Sequence, residues 1–275
     1  MTKIKLALCQ MNVIDDKKAN LKKASTMICE SASKNVDFII LPEMFNCPYS
    51  NDKFIEYGEE EQNSYTLNKI SKLSKEYNVH ILAGSIPERK DDKLYNTSYL
   101  FDRQGKILAK HRKMHLFDID VKDKITFKES DVLTSGDEFT LAETEFGKIG
   151  IGICYDVRFV ELARIMVENG ALILIYPGAF NMTTGPAHWE LLFRSRALDN
   201  QVFCIGVAPA LNESASYHSY GHSIVTNPWG EVILQSSEKE ELIICEIDLD
   251  EIKKVREELP VLKNKREDLY EVIQK

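Results

Sequence analysis

The sequence predicts an α/β protein in which two mixed β-sheets pack face to face, with helices on their outer faces. Three observations carry that expectation. Short apolar strands alternate with helical periodicity along most of the chain. A hairpin pattern interrupts this alternation once in each half. The halves also echo each other. Ser98, Asp102, Gly105 and Ile107 align at one constant offset with Ser223, Asn227, Gly230 and Val232, and Leu41-Pro42-Glu43-Met44-Phe45 resembles Tyr176-Pro177-Gly178-Ala179-Phe180.

Each element has a local reason. The run Met1–Leu8 reads as strand, its apolar part continuing through Lys5–Gln10. Leu21, Ala24, Ile28 and Ala32 recur at helical spacing and predict a helix over about 19–34. Asp37–Leu41 is an apolar strand stopped by Pro42. Leu67, Ile70, Leu73 and Tyr77 mark a second helix, and Val79–Ala83 the next strand. Asn96–Phe101 and Lys106–Lys110 read as a hairpin turning at Asp102-Arg103-Gln104-Gly105, where glycine admits positive φ. The polar stretch Leu116–Glu138 is expected to be an ordered functional loop. The plan then repeats: strand Lys148–Cys154, helix Phe159–Glu168, strand Leu172–Tyr176, helix Pro186–Asn200, strand Val202–Ala208 and a hairpin turning at Asn227-Pro228-Trp229-Gly230.

Composition narrows the function. The 275 residues are 44% hydrophobic and 28% charged, enough for a large core, and no stretch reads as a linker, so one domain over 1–275 is expected. Lys and Arg number 35 against 43 Asp and Glu, a net charge of −8. Such a chain is repelled by nucleic acid and by anionic membranes. The longest apolar run, Ala171–Tyr176, is far shorter than the ~20 residues of a membrane span. The N-terminal run is interrupted too soon, at Gln10 and Asn12, for a signal peptide. Six cysteines without C-x-x-C spacing argue against a zinc knuckle or thioredoxin-like site and fit a cytoplasmic protein with reduced thiols.

Three residues stand where chemistry is placed in α/β proteins. Cys154 follows the glycine-alternating strand Gly150-Ile151-Gly152-Ile153 and enters a helical pattern, where N-terminal amides are expected to favour its thiolate. Glu43 emerges beyond Pro42 from an apolar strand, and a carboxylate in apolar surroundings can serve as a general base near neutrality. Lys113 ends the hairpin strand in Lys110-His111-Arg112-Lys113, where an ammonium can meet a developing oxyanion. Alone, Glu43 and Lys113 read as solvated surface charges, whereas the placement of Cys154 at a strand end already favours chemistry over the small buried hydrophobe a cysteine usually is. Together they make a base, an oxyanion stabiliser and a nucleophile for attack on an amide carbon.

Leu41-Pro42-Glu43, His111-Arg112-Lys113 and Gly152-Ile153-Cys154-Tyr155-Asp156-Val157-Arg158-Phe159 resemble, in order, the three signature blocks of the nitrilase superfamily of carbon–nitrogen hydrolases. The resemblance extends to at least Gly230 and implies a four-layer α-β-β-α sandwich, a thioester intermediate and no metal or organic cofactor. It implies a supporting role for Glu129 beside Lys113, and an oxyanion bound by the Lys113 ammonium and the Tyr155 backbone N–H. His115–Asp120, Phe127–Ser130 and Tyr176–Glu190 are similar to the omega-amidase branch, whose members hydrolyse the terminal amide of α-ketoglutaramate and α-ketosuccinamate. Departures at Val160, Lys122-Asp123 and Thr134-Ser135-Gly136 fall at a helix start and a lid, outside the catalytic residues. Other members, such as N-carbamoyl amino acid amidohydrolases, set the alternative enzyme reading, and a non-catalytic binding module the alternative from another class.

A carboxylate-bearing substrate needs a partner, for which Arg112, Arg158, Arg194, Arg196, Tyr49, Thr183 and Thr184 are candidates. Phe45 and Phe180, at equivalent repeat positions, are candidate pocket walls. His188 and Trp189 begin a helix beside the inferred pocket, whereas His111 and His115 read as structural. Family members usually assemble as dimers or larger, and the tail 259–275 is expected at such an interface.

Overall fold

The computed structural model describes residues 3–275. Met1 and Thr2, read above as the beginning of the first strand, lie outside the described residues. β1 (Lys3–Gln10) leads to α1 (Lys17–Ser33), capped by the Asp16 carboxylate, which accepts from the Ala19 N–H at 3.0 Å. Next come β2 (Phe38–Ile40), the short α2 (Asn51–Tyr57), β3 (Glu59–Glu60) and α3 (Tyr65–Tyr77). Ser64 caps the start of α3, and Asn78 ends it in the left-handed region at φ 52°. β4 (His80–Leu82), β5 (Ile86–Lys90), β6 (Lys93–Phe101) and β7 (Ile107–Arg112) complete the first half. β8 (Asp118–Val121) and β9 (Ile125–Lys128) pair only with each other. The second half runs β10 (Thr140–Thr144), β11 (Gly147–Ile151), α4 (Val160–Glu168), β12 (Ala171–Pro177), α5 (Gly185–Asn200), β13 (Phe203–Val207), β14 (Ile224–Thr226), β15 (Val232–Gln235), β16 (Glu241–Asp248) and α6 (Asp250–Glu258).

One sheet has the order β16-β1-β2-β4-β6-β5-β3, with β7 also on β6, and the other β10-β11-β12-β13-β14-β15. Each has a parallel centre, β1-β2-β4 or β11-β12-β13, flanked by antiparallel strands, so both are mixed. The apolar side chains form three layers. Ile4, Leu6, Leu8 and Ile40 meet Ile149, Ile151, Ile173 and Ile205 between the sheets. Leu21, Ala24, Ile28, Leu67 and Ile70 of α1 and α3 cover the outside of the first sheet. Leu162, Met166, Trp189 and Phe193 of α4 and α5 cover the outside of the second. This is the predicted α-β-β-α sandwich.

The internal echo is structural. The Asp102 carboxylate accepts from the backbone of Gln104 and Lys106, and the Asn227 side-chain oxygen accepts from Trp229 and Glu231, so both hairpins turn through the same bonded loop. Gly105 and Gly230 sit at φ 76° and 81°. Several elements have no clear sequence signal: α2, β3, β5, β10, β16 and α6. β10 is an edge strand and β16 pairs on one side only; both are partly exposed, and their alternation is correspondingly blurred. The polar stretch Leu116–Glu138 is ordered, as expected, and contains the β8–β9 hairpin.

Candidate active site

The three candidate residues converge. The strand expected to reach Cys154 stops at Ile151, and Gly152-Ile153 delivers Cys154 to a single 3-10 turn, Cys154–Arg158. Cys154 has φ 48°, a conformation that L side chains rarely adopt and that strained turns at functional sites often hold. Two glycines make room for it. A Cβ on Gly152 would lie 2.4 Å from the Tyr176 ring, and one on Gly178 only 3.2 Å from the Cys154 Cα and from Trp189. Asp156 holds the turn, its carboxylate accepting from the Ile153 N–H at 2.9 Å.

Glu43, Lys113 and Glu129 are all fully buried. Glu43 Oε1 accepts from Lys113 Nζ at 3.0 Å and from Asn96 Nδ2 at 2.9 Å, and Oε2 accepts from the Ala179 N–H at 2.7 Å. Glu129 Oε1 accepts from Lys113 Nζ at 2.9 Å and from the Tyr49 hydroxyl at 2.6 Å; Oε2 accepts from the Phe117 N–H at 2.7 Å. An ammonium carries three protons. Two go to Glu43 and Glu129, and the third faces the Tyr49 oxygen at a long 3.4 Å.

Burial dominates the electrostatics. It raises Glu43 above the ordinary carboxylate range, with the Glu129 charge adding to the rise and the Lys113 ammonium opposing it. Burial by itself would neutralise Lys113, yet Glu129 and Glu43 hold it charged, well above its usual value. Burial and the Glu43 charge push the Cys154 thiol well up. This corrects the expectation that helix amides favour the thiolate: one 3-10 turn does not offset a buried carboxylate alongside. The proton stays on sulfur in the free site, and a base must take it. The buried Glu43 carboxylate, whose charge acts on that thiol, is the candidate acceptor.

The remaining candidates separate. Phe180 lies under the Arg158 guanidinium, 4.8 Å from its ring centroid, and the Tyr155 ring lies 5.5 Å away on the same side chain. His188 Nδ1 accepts from both terminal Arg158 nitrogens at 3.3 Å, and burial together with the Arg158 charge holds its ring neutral. The Arg158 Nε is buried and without a partner. Thr183 and Thr184 donate their backbone N–H groups to the Asn181 side-chain oxygen just before α5.

Phe45 is a correction: it is fully buried in the core beneath α1 and α3. Met44 turns at φ 50°, so the chain sends Glu43 into the site and Phe45 the other way. Tyr49 also changes role, since its hydroxyl is committed to Glu129. Trp189 donates its indole N–H to the His222 carbonyl beneath Phe180. Arg112 is held bidentate by Glu88 at 2.8 Å, Arg194 by the Gly230 carbonyl and Arg196 by the Val157 and Arg158 carbonyls, which leaves Arg158 beside the nucleophile. Asn96, Asp156 and Tyr217 escaped the sequence reading. Tyr217 stacks 4.5 Å from Tyr49 and donates to the Ala179 carbonyl. An asparagine inside a strand and a tyrosine in a long loop carry no motif, whereas Asp156 lay within a quoted one.

A buried thiol, a buried carboxylate and a charge-locked lysine thus meet at the strand ends of an α-β-β-α sandwich, an arrangement that can supply a nucleophile, a proton acceptor and a cation to one carbonyl group. Comparison with known proteins names its family. The carbon–nitrogen hydrolase model matches residues 5–257. The omega-amidase NIT2 of Bos taurus is 47% identical over 272 residues, 99% of this chain and 98% of the relative. The chloroplastic omega-amidase of Arabidopsis thaliana is 48% identical over 277 residues, covering 99% of this chain and 75% of that one. Among solved structures, Saccharomyces cerevisiae Nit3, described as a member of branch 10 of the nitrilase superfamily, superposes with a TM-score of 0.89 at 42% identity, covering 96% of this chain and 97% of its own. The chain belongs to the carbon–nitrogen hydrolase family and is an amide-hydrolysing enzyme.

Proposed function

We propose that the chain is an omega-amidase that releases ammonia from the terminal amide of α-keto dicarboxylic acid monoamides, α-ketoglutaramate and α-ketosuccinamate. The observation that carries the substrate class is Arg158. Its guanidinium lies over Phe180 at the end of the turn that begins at Cys154, and its buried Nε lacks a partner. A buried unpaired guanidinium N–H is costly, and a carboxylate is the ligand that relieves it. The 47–48% identity to omega-amidases over nearly the whole chain supports the same reading.

The chemistry follows from the proton count. Glu43 takes the thiol proton as Cys154 Sγ bonds to the amide carbon. The oxyanion sits between the third proton of Lys113 and the Tyr155 backbone N–H. Collapse breaks the C–N bond, and the proton on Glu43 leaves with the nitrogen as ammonia, giving the thioester. Glu43 then deprotonates a water that attacks the thioester, and the thiol is restored. Glu129 and Tyr49 keep Lys113 aimed. Because Glu43 must be ionised to begin, and burial raises its pKa, the acid limb of kcat/KM lies above the ordinary glutamate value of 4.5.

We also assign a homo-oligomer interface to the face of α4 and α5. Val160, Leu191 and Leu198 are exposed there, and the tail docks beside them through Leu262, Val272 and the Lys265–Glu168 ion pair. Ammonia release measured across α-keto ω-amides, glutamine, ureido acids and nitriles tests the function. Preference for the α-keto ω-amides is expected; faster cleavage of ureido acids would instead indicate an N-carbamoyl amidohydrolase.

A further inference from the structure

Asp156 does more than close the nucleophile turn. Its carboxylate is fully buried and accepts four hydrogen bonds from two separate elements. Oδ2 takes the Ile153 N–H at 2.9 Å and His111 Nε2 at 3.0 Å; Oδ1 takes the His115 N–H at 3.0 Å and His115 Nδ1 at 2.8 Å. His111 and His115 stand two residues before and two after Lys113, and Asp156 stands two residues after Cys154. An ionised carboxylate only accepts, so both imidazoles present a proton to it. His111 also contacts Thr140 Oγ1 at 3.0 Å, and His115 stacks on Phe159 with ring centroids 3.5 Å apart. One side chain thus ties the end of β7, in the first sheet, to the turn after β11, in the second.

We infer that Asp156 is a positioning residue for catalysis, fixing Lys113 against Cys154 by bridging the two sheets through His111 and His115. The inference rests on the Glu43–Lys113–Cys154 chemistry proposed above. The internal repeat supports it independently. Leu8 pairs with Ile40 as Ile151 pairs with Ile175, so Gln10, the last residue of β1, corresponds to Ile153, two residues past the end of β11. Gln10 also bridges the sheets. Its Nε2 donates to the Ser237 and Lys239 carbonyls at 2.6 Å, and its Oε1 accepts from Ser223 and Ser236. At the hairpin offset, Ser236 and Ser237 align with His111 and Arg112. The half without a nucleophile uses a neutral amide there. The half with one uses charge-assisted bonds, about twice as strong as neutral ones, where a 1 Å displacement costs about 100-fold in rate.

Substitutions at His115 separate positioning from packing. His115→Phe keeps the stack on Phe159 and removes the side-chain donor; His115→Asn keeps a donor near the Nδ1 position and removes the ring. Positioning through the hydrogen bond predicts a kcat about 10-fold lower in His115→Phe at nearly unchanged KM, and a smaller loss in His115→Asn. Asp156→Asn, which turns one oxygen into a clashing donor, is expected to lose about 100-fold in kcat. The rate of Cys154 alkylation by iodoacetamide, read by peptide mass spectrometry, should fall in the same order. That readout needs no substrate, so it stands even if the omega-amide proves the wrong substrate. An Asn variant impaired as much as the Phe variant, or Phe and Asp156→Asn variants alkylated and turning over within twofold of the parent, would overturn the inference.

Discussion

At the end of β2 the chain turns through Leu41-Pro42-Glu43, and at the end of β12 through Tyr176-Pro177-Gly178. The two corners are built alike, yet one ends in a buried carboxylate and the other in the residue with no side chain. The difference is steric. Cys154 and Trp189 already fill the space where a side chain on residue 178 would begin. The Ala179 N–H, next along that corner, donates to Glu43 across the sandwich. The repeat is therefore not two half-sites. In the proposed mechanism one corner supplies the base, and its counterpart leaves room for Cys154 and orients the Glu43 carboxylate. The inter-sheet bridges divide in the same way: Gln10 ties the serines beside β14 and β15, and Asp156 ties the histidines that flank Lys113.

That comparison can be broken at graded cost. Glu43→Gln keeps the corner's shape and removes the base, so ammonia release should fall about 1,000-fold while the melting temperature stays near that of the parent. A loss below tenfold would assign the proton to another group. Glu88→Gln probes the first sheet alone. Burial alone would raise the Glu88 carboxyl, but the bonds from Arg112, Lys110 and Thr97 outweigh it and hold it at about 2, against an ordinary 4.5. Its stabilisation is complete above the unfolded value and is lost as pH falls from about 4.5 through 2, roughly 3 kcal/mol in all. Melting curves of parent and variant should therefore converge between pH 5 and pH 2; a constant gap would contradict the assignment. Gln10→Leu removes the uncharged bridge. It should lower stability by about 2 kcal/mol in urea unfolding while kcat of the folded enzyme stays within twofold. A large kcat loss would mean that both bridges serve catalysis. Arg158→Met should raise KM for α-ketoglutaramate about tenfold with a smaller change in kcat, visible in steady-state kinetics. An unchanged KM would move carboxylate binding elsewhere.

The fold was legible because its central strands are apolar and its corners repeat. Ile39-Ile40-Leu41 and Ile173-Leu174-Ile175 announce buried parallel strands, and the paired Asp102 and Asn227 turns announce the duplication. Elements at the margins, such as the edge strand β10, bury too little surface to print a clear period. In the site, Glu43, Lys113 and Cys154 stood out, because a carboxylate, a lysine and a cysteine at strand ends have few other reasons to be there. Residues that act through geometry did not. Phe45 shows why: its repeat partner Phe180 lies beneath Arg158, but the left-handed turn at Met44 reverses its direction. Tyr49 and Asn96 depend on which oxygen of a buried carboxylate they reach, which only the folded chain decides.

The most direct test is ammonia release from α-ketoglutaramate by Cys154→Ala, with circular dichroism to verify its fold. The account predicts turnover at the uncatalysed background in a protein folded like the parent. Measurable turnover by that folded variant would contradict a cysteine nucleophile.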